Sequence, residues 1–126
     1  MPTQLHLTPE KVAVYRATAL QRQRQEKEDN RRRREKAGQA ARQAAALLRE
    51  QFAVTRVVVF GSLARENGFN RWSDVDIAAW GIAPEQTFRA IGAVMDLPTE
   101  IPVNLVDIAT ARPALLVVIE QEGIEL

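Results

Sequence analysis

The chain predicts a small α/β layer structure, in which a long N-terminal helix precedes about three strands with flanking helices. Three observations carry this expectation. At 126 residues and 46% hydrophobic content the chain can build one core and is too short for two ordinary domains. Its first 50 residues are polar and lack strand-like runs, and proline occurs there only at positions 2 and 9. After Phe52 the pattern changes to short β-branched runs alternating with helical stretches. The division read from this change is a long basic helical arm, residues 1–52, and a small α/β domain, residues 53–126.

The first helix is expected from Pro9 to Glu50. Thr8 supplies a capping hydroxyl, Pro9 a pre-set φ, and Glu10 an acid beside the positive end of the helix dipole. Val12, Tyr15 and Leu20 form a short apolar stripe. The next 16 residues, Gln21 to Lys36, hold no apolar side chain, but they hold no proline or glycine either. Glu28 with Arg32 and Asp29 with Arg33 fall at supportive four-residue spacing, so helix is favoured over coil. Ala40, Ala44, Leu47 and Leu48 then restore an apolar face. Such a helix is about 63 Å long and overhangs its own globule.

"RVVVF" (Arg56 to Phe60) reads as a buried strand, "SLAREN" as a short helix and "SDVDIAAW" as a second strand. "PEQTFRAIGAVMD" reads as a helix from Pro84 that buries Phe88, Ile91 and Met95. "IPVNLVDI" (Ile101 to Ile108) is a third strand, and "PALLVVIEQEG" a last helix with Gly123 as its C-terminal cap. The order is α-β-α-β-α-β-α, without internal repeats.

Composition narrows the function classes. The chain has no cysteine, so a disulfide framework and a thiolate metal site are both excluded, and a reducing cytoplasm is the expected setting. No apolar run approaches a membrane span, and the N-terminus lacks the layout of a signal peptide. The net charge of +1 hides an asymmetry: residues 1–50 carry 12 Lys/Arg against 6 Asp/Glu, the remainder 5 against 10. A basic arm of this kind fits nucleic acid, an acidic partner, or a solvated helix.

The chemistry concentrates in "VVVFGSLARENGFNRWSDVDIAAW", Val57 to Trp80. Asp74 and Asp76, two apart on a strand, project to one face about 6 to 7 Å from each other. Two like charges at that distance repel by about 2.5 kcal/mol at an effective dielectric of about 20. A divalent cation, Mg²⁺ or Mn²⁺, would relieve that repulsion and leave positions free for phosphates. Gly61-Ser62, where the preceding strand exits, supplies close backbone approach, a hydroxyl and amide N–H groups for an anion. Taken alone, Gly61-Ser62 also fits an ordinary capped turn, and the acids fit solvated carboxylates on an edge strand. Their order along the chain favours the joint reading.

This stretch resembles the signature of the DNA polymerase beta type nucleotidyltransferases: an apolar residue, Gly-Ser, about ten residues, then Asp-apolar-Asp-apolar. Here 11 residues, 63 to 73, separate Ser62 from Asp74. Over residues 40 to 126 the chain is similar to the minimal nucleotidyltransferases, or MNT proteins, many of which pair with HEPN proteins in toxin–antitoxin operons. The resemblance implies a mixed sheet with flanking helices. It also implies Asp74 and Asp76 as catalytic acids that bind Mg²⁺, ATP as nucleotide donor, and Gly61-Ser62 as the triphosphate grip. Arg65, in the Ala-Arg step after Gly-Ser, is implied as a phosphate contact, although it fits a surface ion pair equally. The family's third acid falls at Asn104, which can hydrogen-bond but can neither carry charge nor act as a base. Asp107, three residues on, has the opposite strand parity and should face away.

The function this implies is an antitoxin that binds a HEPN-type toxin and, if active, transfers a nucleoside monophosphate onto it. Two other readings stand beside it: a catalytically inactive antitoxin acting by contact alone, and a small RNA-binding module using the basic arm. The arm is expected to mediate homo- or hetero-oligomerisation. Without interleaved aromatic residues, the run Arg31 to Arg34 reads as a solvated or partner-binding helix rather than an RNA grip. Arg71 is a weaker phosphate candidate, Trp72 and Trp80 are expected in core or interface, and His6 is assigned no role.

Overall fold

A computed structural model describes residues 7–126, so His6 lies outside the described residues. Helix α1 runs from Pro9 to Phe52, 44 residues and about 66 Å. Its start is the expected one: the Thr8 hydroxyl accepts a hydrogen bond from the Lys11 amide, with Pro9 in the first turn. It ends where Ala53 adopts the left-handed conformation and returns its N–H to the Leu48 carbonyl. One seam of α1 is buried, through Ala37, Ala40, Ala41, Ala44, Ala45 and Leu48. The alternating steps of three and one follow a single helix face, and the small side chains let the helix lie close to the sheet. From Pro9 to Lys27 every side chain except the half-buried Val12 is exposed, so Tyr15 and Leu20 face solvent.

The sheet has four strands in the order β3-β2-β1-β4, formed by β1 (Arg56–Phe60), β2 (Val75–Trp80), β3 (Val103–Asp107) and β4 (Ile124–Glu125). β1 is antiparallel to β2 and β4, and β2 is parallel to β3. The mixed α/β class is thus the expected one, with one more strand than the sequence suggested. β4 consists of two residues, too short for any alternation to register. Gly123 makes it possible: a Cβ there would collide with the Ile119 carbonyl and the Val58 side chain. Gly123 is the expected C-cap of the last helix, its N–H returning to the Ile119 carbonyl, but its φ of −66° is not left-handed, so the glycine is needed for close approach.

Two cores flank the sheet. Val57, Val59, Val75, Ile77, Ala79, Val103 and Leu105 face the α1 seam and helix α2 (Thr87–Met95). Val58, Phe60 and Ala78 face helix α3 (Pro113–Glu122) through Ile119. A strand buried on both faces reads as a continuous apolar run, which is why "RVVVF" shows no alternation.

Helix α2 departs from expectation. Pro84–Gln86 forms a 3₁₀ turn and the α-helix begins at Thr87. Its buried residues are Ala90 and Val94, whereas Phe88 is 88% and Met95 69% exposed; Ile91 is half-buried. The segment is apolar around much of its circumference, so periodicity does not choose a face. A close-lying layer built on an alanine seam selects the smaller side chains. Trp72 is likewise no core residue: it is 80% exposed, with the Arg71 guanidinium 4.8 Å from its ring centroid. Trp80 packs against the α3-side core and carries Arg56 at 4.2 Å.

Candidate functional site

The site forms where β1 exits, at the sheet end where β2 and β3 begin. Phe60, the last residue of β1, pairs with Asp76 on β2, and Asp76 pairs in turn with Asn104 on β3. Register therefore brings Gly61, Asp76 and Asn104 onto neighbouring positions of one sheet end. Gly61 has φ +70°, and a Cβ on it would stand 2.7 Å from Asp76 Oδ2. Glycine is required twice over here, by the left-handed backbone and by the carboxylate pressed against it.

Asp76 is half-buried, and Asn104 Nδ2 donates to its Oδ1 at 3.3 Å. Its pKa is raised above the ordinary carboxylate value: desolvation pushes it up, the Asn104 hydrogen bond pulls it down, and the neighbouring Asp74 charge pushes it up again. Asp74 is exposed and immediately precedes β2. Of the sequence-predicted catalytic set, Asp76 and Asn104 thus lie on two adjacent strands, whereas Asp74, expected within the strand, falls just before it. Asp107 points to the other face, as parity requires. Buried there, it accepts hydrogen bonds from Thr87 Oγ1 at 2.6 Å and the Ala109 amide at 3.1 Å, which ties β3 to α2.

Ser62 lies in the single 3₁₀ turn Gly61–Ala64 rather than at the head of a true helix. Any anion it meets would rest on the hydroxyl and local amides, with little macrodipole behind them. Arg65 follows this turn, exposed, with its Nε 3.5 Å from Glu122 of α3, which is the surface ion pair among its two expected roles. Arg71 stacks on Trp72.

Sequence reasoning missed what holds this loop. Arg33 and Arg34 turn inward and donate to backbone carbonyls of residues 63–73. The signal was present: these two residues lie four and three positions before Ala37, so the buried seam extended by one turn passes through them.

The sequence matches the nucleotidyltransferase domain family over residues 41–122. The chain belongs to that family. The fold of this nucleotidyltransferase domain is similar to that of three chains in solved structures. One is from a mutant of the toxin–antitoxin pair MntA-HpeT, with a TM-score of 0.56 and 19% identity, covering 68% of this chain and 70% of that one. Another is from a toxin–antitoxin with AMP-PNP, with a TM-score of 0.54 and 22% identity over 64% and 67%. A third is from the complex of tri-AMPylated Shewanella oneidensis HEPN toxin with MNT antitoxin, with a TM-score of 0.53 and 18% identity over 71% and 70%. Among curated proteins nothing matches this sequence. No described helix is long and apolar enough to cross a membrane.

Among the described residues no three or more His, Asp or Glu side chains converge as a metal cage. The candidate site instead offers two carboxylates, one of them crowded and partly desolvated. This donor set suits Mg²⁺, which keeps water and takes its remaining ligands from phosphates.

Proposed function

We propose that this nucleotidyltransferase domain is an MNT-like antitoxin that binds a HEPN-type toxin and passes AMP from ATP onto it slowly. The observation that carries the reading is the register of β1, β2 and β3, which sets Gly61-Ser62 beside Asp76 with Asn104 next to it. Gly61 and Ser62 would hold the triphosphate, and Asp74 and Asp76 would hold Mg²⁺ or Mn²⁺. The cation would neutralise charge on the phosphates as the transfer proceeds. In the transfer itself, a hydroxyl oxygen of the acceptor bonds to the α-phosphorus. The bond from that phosphorus to the bridging oxygen breaks, pyrophosphate leaves, and the hydroxyl proton must go to a base or to water. An amide cannot take that proton, and it brings no charge to the cation. Asn104 therefore keeps a second reading in play, in which the same fold neutralises its partner by contact alone.

The test is label transfer from α-labelled ATP onto the cognate HEPN partner, using the natural chain, Asn104→Asp and Asp76→Ala. Weak transfer by the natural chain, a gain of tenfold or more in Asn104→Asp and loss in Asp76→Ala are expected. Robust natural transfer that Asn104→Asp does not improve would mean that two carboxylates suffice. No transfer by any variant, with the partner still bound, favours the contact-only antitoxin.

A further inference from the structure

We infer that Arg33 and Arg34 are positioning residues for the nucleotide site, an inference that rests on the reading of Gly61-Ser62 and Asp74–Asp76 given above. Between β1 and β2 the chain spans 14 residues, 61 to 74, whose regular structure is one 3₁₀ turn. Its own ties are few: backbone bonds such as Gly68 to Arg65, and the Ser73 and Asn70 side chains bonded to each other and to nearby amides. Holding so many residues in one conformation costs backbone entropy that these local bonds do little to offset.

Two adjacent side chains of α1 hold the loop at both ends. Arg34 Nη2 donates to the Leu63 carbonyl at 3.1 Å and Nη1 to the Arg65 carbonyl at 2.9 Å. The Leu63 carbonyl, near the end of a helical turn, directly follows Ser62, and the Arg65 carbonyl, just beyond that turn, also accepts from the Gly68 amide. Arg33 Nε donates to the Asn70 carbonyl at 3.2 Å and Nη2 to the Ser73 carbonyl at 3.1 Å, the latter directly before Asp74. One guanidinium therefore fixes the phosphate-gripping end and its neighbour fixes the acidic end. The buried Phe69 ring, 5.9 Å from Arg33 Cζ, limits how far that guanidinium can swing.

The chemistry explains why these residues are arginines. Each meets two carbonyls with two N–H groups of one rigid planar fork, which the point charge of a lysine cannot reproduce. The anchor is firm as well, because α1 enters the core one turn later, at Ala37. The same geometry takes this pair out of the RNA-binding reading, since the donors involved are engaged with backbone. Arg31 and Arg32 pair instead with Glu28 on their own helix.

The experiment compares the full-length natural chain with Arg33→Ala, Arg34→Ala, Arg33→Lys, Arg34→Lys and the control Arg31→Ala. Amide hydrogen exchange is read over residues 61–74 and over β1 and β3, and Mg-ATP affinity is read by calorimetry. The alanine variants should speed exchange in the loop about tenfold or more, leave the sheet protected, and weaken Mg-ATP by about tenfold. The lysine variants should fail to restore either quantity, and Arg31→Ala should match the natural chain. Unchanged loop exchange overturns the inference, as does a loosened loop that keeps full nucleotide affinity. Should an alanine variant lose protection in the sheet as well, the lysine variants, which keep charge and aliphatic stem, decide in its place. If the natural chain binds no Mg-ATP, the nucleotide reading falls. Loop exchange then decides alone whether the two arginines position the acids and Ser62.

Discussion

The Asp76 carboxylate is squeezed between a glycine backbone that only glycine could provide and an amide where a charge-bearing acid would be expected. Folding raises its affinity for a proton, so between the ordinary carboxylate pKa and the raised value the folded chain binds more protons than the unfolded one. Stability must then fall as pH climbs through that window, with the penalty absent below it and complete above it. With metal chelated, Asp76→Asn should therefore be more stable than the natural chain at neutral pH. The difference in urea midpoint should close as pH drops toward about 4. Added Mg²⁺ should reverse the order, because only the natural chain offers the full charge. A gap that stays constant with pH would remove desolvation as the cause. At this scale the sequence was informative about the parity of Asp107. It was silent on the contact between Gly61 and Asp76, which arises from strand register between segments 15 residues apart.

Among the elements, α2 shows where periodicity stops being decisive. A nine-residue helix with apolar side chains on most sides can bury either Phe88 and Met95 or Ala90 and Val94, and packing against the α1 seam settles the matter. Phe88→Ser should accordingly change stability by no more than about 0.5 kcal/mol in chemical denaturation. Val94→Ala or Ala90→Leu should cost about 1–3 kcal/mol, the first by opening a cavity and the second by overpacking. A large loss in Phe88→Ser would mean that the helix is rotated from the orientation described. The long helix and the three longer strands were legible because each has either a capping signal or a β-branched run. β4 was not, since its two residues are specified by pairing with Val58 and Val59 and by the room Gly123 leaves.

Across the whole molecule the charge asymmetry resolves into two different jobs along one helix. Residues 37–52 are structural, contributing the seam on which the sheet rests. Arg33 and Arg34, although part of the basic run, are committed to the loop between β1 and β2. What remains exposed is the stretch from Pro9 to Lys27, together with Arg31 and Arg32 at its base. The sequence made the reach of the arm legible from its lack of helix breakers. Where the arm joins the globule was harder to see, because arginines that bond to carbonyls look in sequence like arginines that face water.

That exposed stretch has the thermodynamics of a peptide. Nineteen residues, 9 to 27, form about 28 Å of helix supported by their own backbone bonds and a few neighbouring side chains, and isolated helices of this length are marginal in water. Unzipping from the N-terminal end need not disturb the sheet at all, so a single unbroken helix should carry a steep gradient of local stability along its axis. Trypsin at low concentration should cut the free chain after Lys11, Arg16, Arg22, Arg24 and Lys27 and then stall, leaving a fragment that begins near residue 28. A bound HEPN partner that uses the arm should abolish those early cuts. Uniform resistance of the free chain along all of α1 would mean that the overhang is held by something other than its own hydrogen bonds.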